Sequence, residues 1–455
     1  MRVNGCWVEG GLPDSASKMK SFAVTTLGCK VNRYESEAIS EELEDLGWQL
    51  TDEAGTAELC IVNTCTVTQK AAMQARQAVR KAIRSHPKAL IVVTGCYAQT
   101  APHVLEKIPG IHAVVGNTLK GHIGRLAERL SKNTSVLTLV EDISRPRAFQ
   151  DLAITRFGNR TRPFLKIQDG CDAFCTYCII PHGRGRSRSL APETVLTRVQ
   201  GLKEQGFAEV VLCGINLGRY GLDLDPPTSL LDLIRSLEGP SATRRLRLSS
   251  IEPTEISETL VAHLQASERV CRHLHIPLQS GDDDVLRRMN RHYGSEFYRA
   301  LIHHIVEAMP NVAVGVDVLI GFPGETDGAF ARTCRLINEL PIAYLHVFPF
   351  SVQKGTVAES LLDQRSPETI KKRAQVVRQI GQAKRSAFYE KALGSTLEVL
   401  IEGTRDRTTG HLRGLSQNYI PVHIEGPDRL FHQLVIVRPT KVECGRVFGE
   451  CLSRP

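Results

Sequence analysis

From about residue 164 to residue 348 the chain repeats one unit six times: a short apolar run followed by a helix-length amphipathic stretch. The runs fall near 164–167, 210–213, 246–249, 273–276, 312–320 and 344–348. Parallel strands need crossover connections of one hand, so six such units in series predict a β/α barrel, or an open part of one, ending by about Lys384. Each run stops in a polar or glycine-rich string. In order these are Gln168-Asp169-Gly170-Cys171, Gly214-Ile215-Asn216, Ser249-Ser250-Ile251-Glu252-Pro253, Pro277-Leu278-Gln279-Ser280-Gly281, Gly321-Phe322-Pro323-Gly324-Glu325 and Pro349-Phe350-Ser351. Barrel enzymes gather such loops at the C-terminal mouth of the strands, so the six strings describe one pocket. Helix caps and turns account for some of these glycines and prolines, but not for the cysteines after the first strand.

Those cysteines read Cys171-Asp-Ala-Phe-Cys175-Thr-Tyr-Cys178. Three thiolates on one loop suit an iron-sulfur cluster, and three ligands for a four-iron cube leave one iron open to substrate. A zinc site completed by a fourth residue such as His182 is the alternative. The 321–325 loop lacks the Lys-Ser/Thr ending of a phosphate-binding loop, which excludes a nucleoside triphosphatase of that type.

Ahead of the barrel, apolar runs lead to Cys29, Cys65 and Cys96, with helical patterns at 34–48 and 70–85 between them. This predicts a parallel α/β domain over 21–132, after a disordered extension at 1–20 in which Met19 is a second candidate start. Strand ends lie side by side in an open sheet, so three cysteines remote in sequence can meet at one edge. Buried or incidental cysteines are the bland alternative, and Cys6, Cys60, Cys213, Cys271, Cys334, Cys444 and Cys451 are assigned to that class. A stretch at 133–156 reads as a linker, 157–387 as the barrel, and 388–454, with its alternating Leu397, Val399 and Ile401 and recurrent turn glycines, as a small antiparallel β-barrel.

The composition, 42% apolar and 5% aromatic over 455 residues, excludes disordered and fibrous classes. No run approaches the roughly 18 apolar residues of a membrane span, and the first 20 residues lack a secretory pattern, so a soluble cytoplasmic protein is expected. Thirteen cysteines in such a chain point to metal or catalysis rather than disulfides. The formal charge of +8 permits a polyanionic partner without demanding one.

A barrel opening with Cys-x3-Cys-x2-Cys, with Tyr177 before the last cysteine, resembles the radical S-adenosylmethionine superfamily. The strings Thr26-Leu27-Gly28-Cys29-Lys30-Val31-Asn32, Asn63-Thr64-Cys65 and Thr94-Gly95-Cys96 narrow this to a resemblance to its methylthiotransferases. Ile179-Ile180-Pro181, Gly185-Arg186-Ser187-Arg188-Ser189 and the string from His275 to Gly281 reinforce it, while His182-Gly183 departs from the expected Tyr-Ala. The resemblance implies an α/β fold of three domains: a cluster domain, a partial (β/α)6 TIM-like radical barrel and an RNA-binding β-barrel of the TRAM type. It implies two [4Fe-4S] clusters, one on Cys171, Cys175 and Cys178, the other on Cys29, Cys65 and Cys96. S-adenosylmethionine would serve as methyl donor and radical source, near Tyr177, Gly214, Asn216, Ser249, Ser250, Glu252, Gln279 and Ser280. A tRNA anticodon loop, a sulfur source and an electron donor such as flavodoxin or ferredoxin are the implied partners.

Lys30 after Cys29 resembles the branch that methylthiolates carbon 2 of N6-threonylcarbamoyladenosine at position 37 of tRNA. Branches acting on N6-isopentenyladenosine-37 or on a ribosomal-protein aspartate remain open, as do a single-cluster radical enzyme and a non-catalytic RNA-binding metalloprotein. Two basic stretches could meet phosphates: Lys70, Arg76, Arg80, Lys81, Arg84 and Lys88, and then Lys371, Lys372, Arg373, Arg378, Lys384 and Arg385. The terminal barrel is nearly neutral.

Overall fold

The protein is described by a computed structural model covering residues 20–53, 55–130, 135–145, 148–158, 160–239 and 243–452. The extension expected at 1–20, all but its last residue, and Cys6 lie outside the described residues. Strands apolar on both faces must be covered on both faces. The first sheet is of this kind: β1 (Ser21–Thr26), β2 (Gln49–Leu50), β3 (Leu59–Thr64), β4 (Leu90–Gly95), β5 (Ala113–Val115) and β6 (Leu137–Leu139) pair in parallel in the order β2-β1-β3-β4-β5-β6. Ile39 and Leu43 of the helix Lys30–Asp45 pack on Phe22, Ile61 and Val92. Ala75, Val79 and Ala82 of the helix Gln69–Ser85 pack on the opposite face, against Cys60, Val62, Ile91 and Val93.

The first domain runs past its expected end at 132. β6 lies in the stretch read as linker, and its partly exposed edge position gave no burial period to read. The rest of that stretch is docked rather than loose. Leu152, Ile154 and Phe157 enter the barrel core, Tyr34 donates to the Leu152 carbonyl (2.7 Å), and Glu41 accepts from the Thr155 amide (2.9 Å).

The barrel strands β7 (Phe164–Lys166), β10 (Glu209–Cys213), β11 (Arg245–Leu248), β12 (His273–His275), β13 (Ala313–Ile320) and β14 (Tyr344–Pro349) match the six expected runs, with a small ribbon of β8 (Gln168–Asp169) and β9 (Arg188–Ser189) beside them. They form two parallel three-stranded sheets, β11-β10-β7 and β12-β13-β14, joined by bridges at Leu246–Val270 and Ser250–His275. The outer strands β7 and β14 do not pair, so the barrel is open on one side.

The helix Pro367–Lys391 crosses the expected boundary at 387, and its Tyr389 already belongs to the core of the last domain. That domain is a closed barrel of β15 (Leu397–Arg405), β16 (Leu412–Ser416), β17 (Pro421–Ile424), β19 (Arg446–Cys451) and β18 (Leu434–Glu443). It is not wholly antiparallel, since β17 and β19 pair in parallel to close it. Arg245 and Arg247 of β11 bind it: Arg245 pairs with Glu398 (2.9 Å), and Arg247 donates to the Gln417 and Ser416 carbonyls (both 3.0 Å). Among the described residues, no helix is long and apolar enough to cross a membrane.

Candidate functional site

The loop with Cys171, Cys175 and Cys178 starts at Gly170, whose positive φ of 74° and contact with the Arg186 carbonyl leave no room for a side chain. The loop is held from several directions. Cys171 donates its amide to the Gly185 carbonyl (3.0 Å), Thr176 donates its amide to the Met289 carbonyl (3.1 Å) and its hydroxyl to that of Arg288 (2.8 Å), and Asn290 donates to the Ala173 carbonyl (3.2 Å). All three thiols are half-buried and none is in a disulfide. Arg291, almost fully buried, donates to the Cys175 sulfur (3.3 Å) and pairs with Glu252. Burial pushes the Cys171 thiol up to about 11 and raises Cys178 as well, with Cys175 adding to both. Bound metal reverses this cost, because a coordinated thiol loses its proton. Tyr177 packs edge-on to Phe322 at 6.3 Å, and burial together with the nearby Cys175 and Cys178 raises its hydroxyl against the opposing field of Arg291.

Gln168 organises the next loop. Its side-chain oxygen accepts from the amides of Ile215 and Asn216 (both 2.8 Å), and a Cβ at Gly214 would lie 2.7 Å from that oxygen. Asn216 donates to one oxygen of Glu255 (3.0 Å), while the Asn216 side-chain oxygen and the other Glu255 oxygen are buried without a partner among the described residues. Two orphaned acceptors on one hydrogen-bonded pair fit a ligand that brings donors, as an ammonium or a ribose does. Ser249 accepts from the Gly214 amide (3.4 Å), and Ser250 bridges to His275. Gln279 holds a positive φ of 62° with its amide on the Asp317 carbonyl (2.8 Å). Ser280 is turned away from the mouth: its hydroxyl bonds Thr333 (3.3 Å) and accepts from the Asp282 amide (3.2 Å), which is a structural role.

Burial pushes Glu255 up to about 7, with Glu252 adding to it and the Asn216 hydrogen bond opposing. A carboxyl raised above its unfolded value near 4.3 binds its proton more tightly when folded. This contribution is therefore full below about pH 4 and is lost as pH rises through 7. The ligand-free protein should lose about 1–2 kcal/mol of stability between pH 5 and 8 in urea titrations, after discounting for partial exposure. Glu255→Gln should flatten that slope, and an unchanged slope would remove Glu255 as its source.

The second triplet lies on the first sheet. β1, β3 and β4 are adjacent, with Thr26 opposite Asn63 and Thr64 opposite Gly95, so the residues that follow them emerge at one edge. Cys29 caps the helix Lys30–Asp45, Cys65 follows β3, and Cys96 opens the helix Cys96–Thr100. A Cβ at Gly28 would come within 2.9 Å of the Cys65 sulfur. The thiols feel one another: burial pushes Cys65 up to about 11 with Cys96 and Cys29 adding to it, and burial together with Cys96 raises Cys29 against the opposing field of Arg184. Cys29 is exposed, but to a cavity within the molecule.

The first domain covers the barrel mouth from two sides. On one side the helix Ile180–Arg184, just after Cys178, lies against the helix Cys96–Thr100. A Cβ at Gly183 would sit 3.5 Å from that of Cys96, and Asn117 donates to the Gly183 carbonyl. The departure from Tyr-Ala at His182-Gly183 therefore faces the second triplet, where a larger residue than glycine would lie in contact with Cys96. On the other side Gln69 donates to Ser351 (3.2 Å) and to the Val352 carbonyl (2.9 Å). Between them Glu35 and Asp169 meet Lys120, Lys166, Arg184 and Arg188, nearly all fully buried. Four cations against two carboxylates leave buried positive charge beside Cys29 and Cys96, which a thiolate-bound cluster would balance.

A lone zinc ion would need its sulfurs within about 4 Å of one another, given Zn–S bonds near 2.3 Å. Among the described residues the one His/Cys/Asp/Glu group whose donor atoms all lie within 4.8 Å is His275, Asp317 and His346; neither cysteine triplet is that tight. A spacing wider than one zinc ion needs leaves room for a multi-iron cluster, and His182 is exposed and belongs to no such tight group among the described residues. Gln168 opens the first of the strings singled out in the sequence, whereas sequence reasoning missed Glu255 and Arg291 as parts of this mouth. Glu255 stands two residues beyond such a string, and nothing local marks Arg291.

The basic stretches divide. Arg80, Lys81 and Arg84 are exposed on the helix Gln69–Ser85 without ion pairs among the described residues, and Arg76 donates to Tyr97 (2.7 Å). In the second stretch Arg373 is buried on Glu325 and Asp327, and Lys384 is spent on the Asn338 and Leu340 carbonyls (2.6 and 2.8 Å), so neither is available to phosphate.

Residues 21–116 match the family described as "Uncharacterized protein family UPF0004" and residues 165–337 the radical SAM superfamily. The threonylcarbamoyladenosine tRNA methylthiotransferase MtaB of Bacillus subtilis is 36% identical over 93% of this chain and 94% of its own length. The tRNA-2-methylthio-N(6)-dimethylallyladenosine synthase of Clostridium botulinum (strain Loch Maree) is 32% identical over 94% and 96%. In fold, the radical S-adenosylmethionine methyltransferase TsrM of Kitasatospora setae superposes with a TM-score of 0.52 over 73% of this chain and 75% of its own, at 16% identity. With two cysteine triplets on one covered mouth and relatives alike along almost their whole length, the chain belongs to the radical SAM methylthiotransferases, enzymes that work with S-adenosylmethionine and a [4Fe-4S] cluster.

Proposed function

We propose that this enzyme converts N6-threonylcarbamoyladenosine at position 37 of tRNA to its 2-methylthio derivative. The observation that carries the reading is the pairing of two thiol triplets across one enclosed mouth, in a chain alike end to end with curated threonylcarbamoyladenosine enzymes. Cys171, Cys175 and Cys178 would hold one [4Fe-4S] cluster, and Cys29, Cys65 and Cys96 a second. Loaded with S-adenosylmethionine, these groups would supply the radical and methylthio-transfer chemistry that side chains cannot perform on an unactivated aromatic carbon.

The protein's own part is to position and to shield. The orphaned oxygens of Asn216 and Glu255 would accept from the cofactor's donors. Arg291 and Glu252 fix Cys175, and the contacts of Gln69 with the loop after β14 tie the first domain to the mouth. The base must leave its stack to enter, and Arg80, Lys81 and Arg84 offer phosphate contacts outside. A flavodoxin or ferredoxin would supply electrons and a separate sulfur source the sulfur, in the cytoplasm.

Nucleoside mass spectrometry of tRNA from a deletion strain tests the substrate. Loss of the methylthio group from threonylcarbamoyladenosine, with the unmethylthiolated nucleoside accumulating, is expected. Loss from isopentenyladenosine instead would transfer the enzyme to the other branch.

A further inference from the structure

A cavity of about 560 Å³ opens where all three domains meet, within the range of small-ligand sites. Cys29 lines it, so whatever fills it lies beside the second thiol triplet. Its walls carry five cationic side chains, Lys30, Arg33, Arg160, Arg162 and Arg247, against one carboxylate, Glu402. Most of these charges are spent. Glu402 is taken by Arg162 (2.7 Å) and Arg413 (3.2 Å), Arg247 by Glu209 (2.6 Å) and Arg160 by Glu37. Lys30 and Arg33 have no side-chain hydrogen bond or ion pair among the described residues, and they lie one turn apart at the start of a sixteen-residue helix with no acid in its first turn. A half-buried ammonium without a counterion beside a helix N-terminus is a site short of an anion. Phe164 and Val211 add an apolar part to the wall, with the Arg160 guanidinium over the Phe164 ring (5.4 Å).

We infer that Lys30, supported by Arg33, receives the carboxylate of the substrate's N6-threonylcarbamoyl group in this cavity and so selects a carboxylate-bearing adenosine over a prenylated one. The inference rests on the tRNA reading above and deepens it. The substituent carries a free carboxylate close to the purine, whereas an isopentenyl group offers the two cations nothing. Discrimination of this kind is strong, because a wrong substrate leaves the half-buried charge of Lys30 unpaired. The rival source of an anion is an RNA phosphate, which every substrate would carry alike.

Equilibrium binding by the cluster-loaded full-length enzyme, kept anaerobic, separates the two. The probes are three anticodon stem-loops that differ only at position 37: adenosine, threonylcarbamoyladenosine and isopentenyladenosine. The wild type should bind the threonylcarbamoyl loop at least about tenfold more tightly than the other two, the worth of one hydrogen-bonded charge. Lys30→Met should bind all three equally, at the wild-type strength for unmodified adenosine and with an unchanged salt dependence, and Lys30→Arg should keep the preference. Equal weakening on all three loops with a shallower salt slope would assign the lysine to phosphate and overturn the proposal, as would an unchanged preference. Should Lys30→Met lose iron, Arg33→Met, one turn from Cys29, decides the matter by the same reading. A wild type that prefers the isopentenyl loop would instead defeat the substrate assignment itself.

Discussion

Replacing Cys29, Cys65 and Cys96 together by alanine halves the iron of the anaerobically loaded enzyme, from about eight atoms per chain to about four, as expected for the loss of one of two four-iron cubes. Cleavage of S-adenosylmethionine persists while methylthiolation falls below detection. The asymmetry follows from how each triplet is held. The barrel loop is fixed by Gly185, Arg288, Met289 and Asn290, all within its own domain, so it stays formed when the other triplet is gone. The first sheet keeps its two apolar faces, because none of the three thiols contributes to the helix packing on either side. Iron content and acid-labile sulfide, read beside 5'-deoxyadenosine formation, check this. Unchanged iron would mean that the first domain holds no cluster, and zinc in place of iron would turn the protein into an RNA-binding metalloprotein.

Much of this layout is legible without coordinates, because a strand that stops at a cysteine is a local pattern and parallel neighbours align their ends. The six barrel runs fall within a residue or two of their strands, and the three remote cysteines do share a sheet edge. What escaped is whatever depends on a partner far along the chain. Glu35, Lys120, Lys166 and Arg184 look like ordinary charges in helices and strands, and only folding brings them into one buried cluster. Arg373 and Lys384 read as a basic face for the opposite reason, since the acids and carbonyls that consume them lie more than forty residues away. The parallel closure of β17 on β19 escaped likewise, because alternation reports which face is buried and not the direction of a neighbour.

Glu35→Gln should destabilise the enzyme by about 3–5 kcal/mol, the usual cost of breaking a buried ion pair from one side. The carboxylate touches Lys120, Lys166 and Arg184, each at most 1% exposed, and a neutral amide of the same shape leaves Lys120 unpaired and only Asp169 to balance Lys166 and Arg184. Burial works against the Glu35 charge, but Arg184, Lys120 and Lys166 outweigh it and hold the carboxyl well below its usual range. A depressed carboxyl stabilises the fold above its unfolded value near 4.3, and that contribution is lost as pH falls through the folded value. The wild type should therefore lose stability steeply below about pH 4, and the variant should start lower and fall less. Urea unfolding at pH 7 and pH 4 measures both. The same network joins the helix that begins at Cys29 to the barrel residue Arg184, whose guanidinium is held charged by Cys96, Glu35, Asp169 and Cys29 against burial. Arg184→Met should consequently shed iron from the first domain before the barrel, because the cation that faces those thiolates is gone while the barrel loop keeps its own supports. If both centres empty together, the network serves to hold the two domains in register rather than to balance the charge of one cluster.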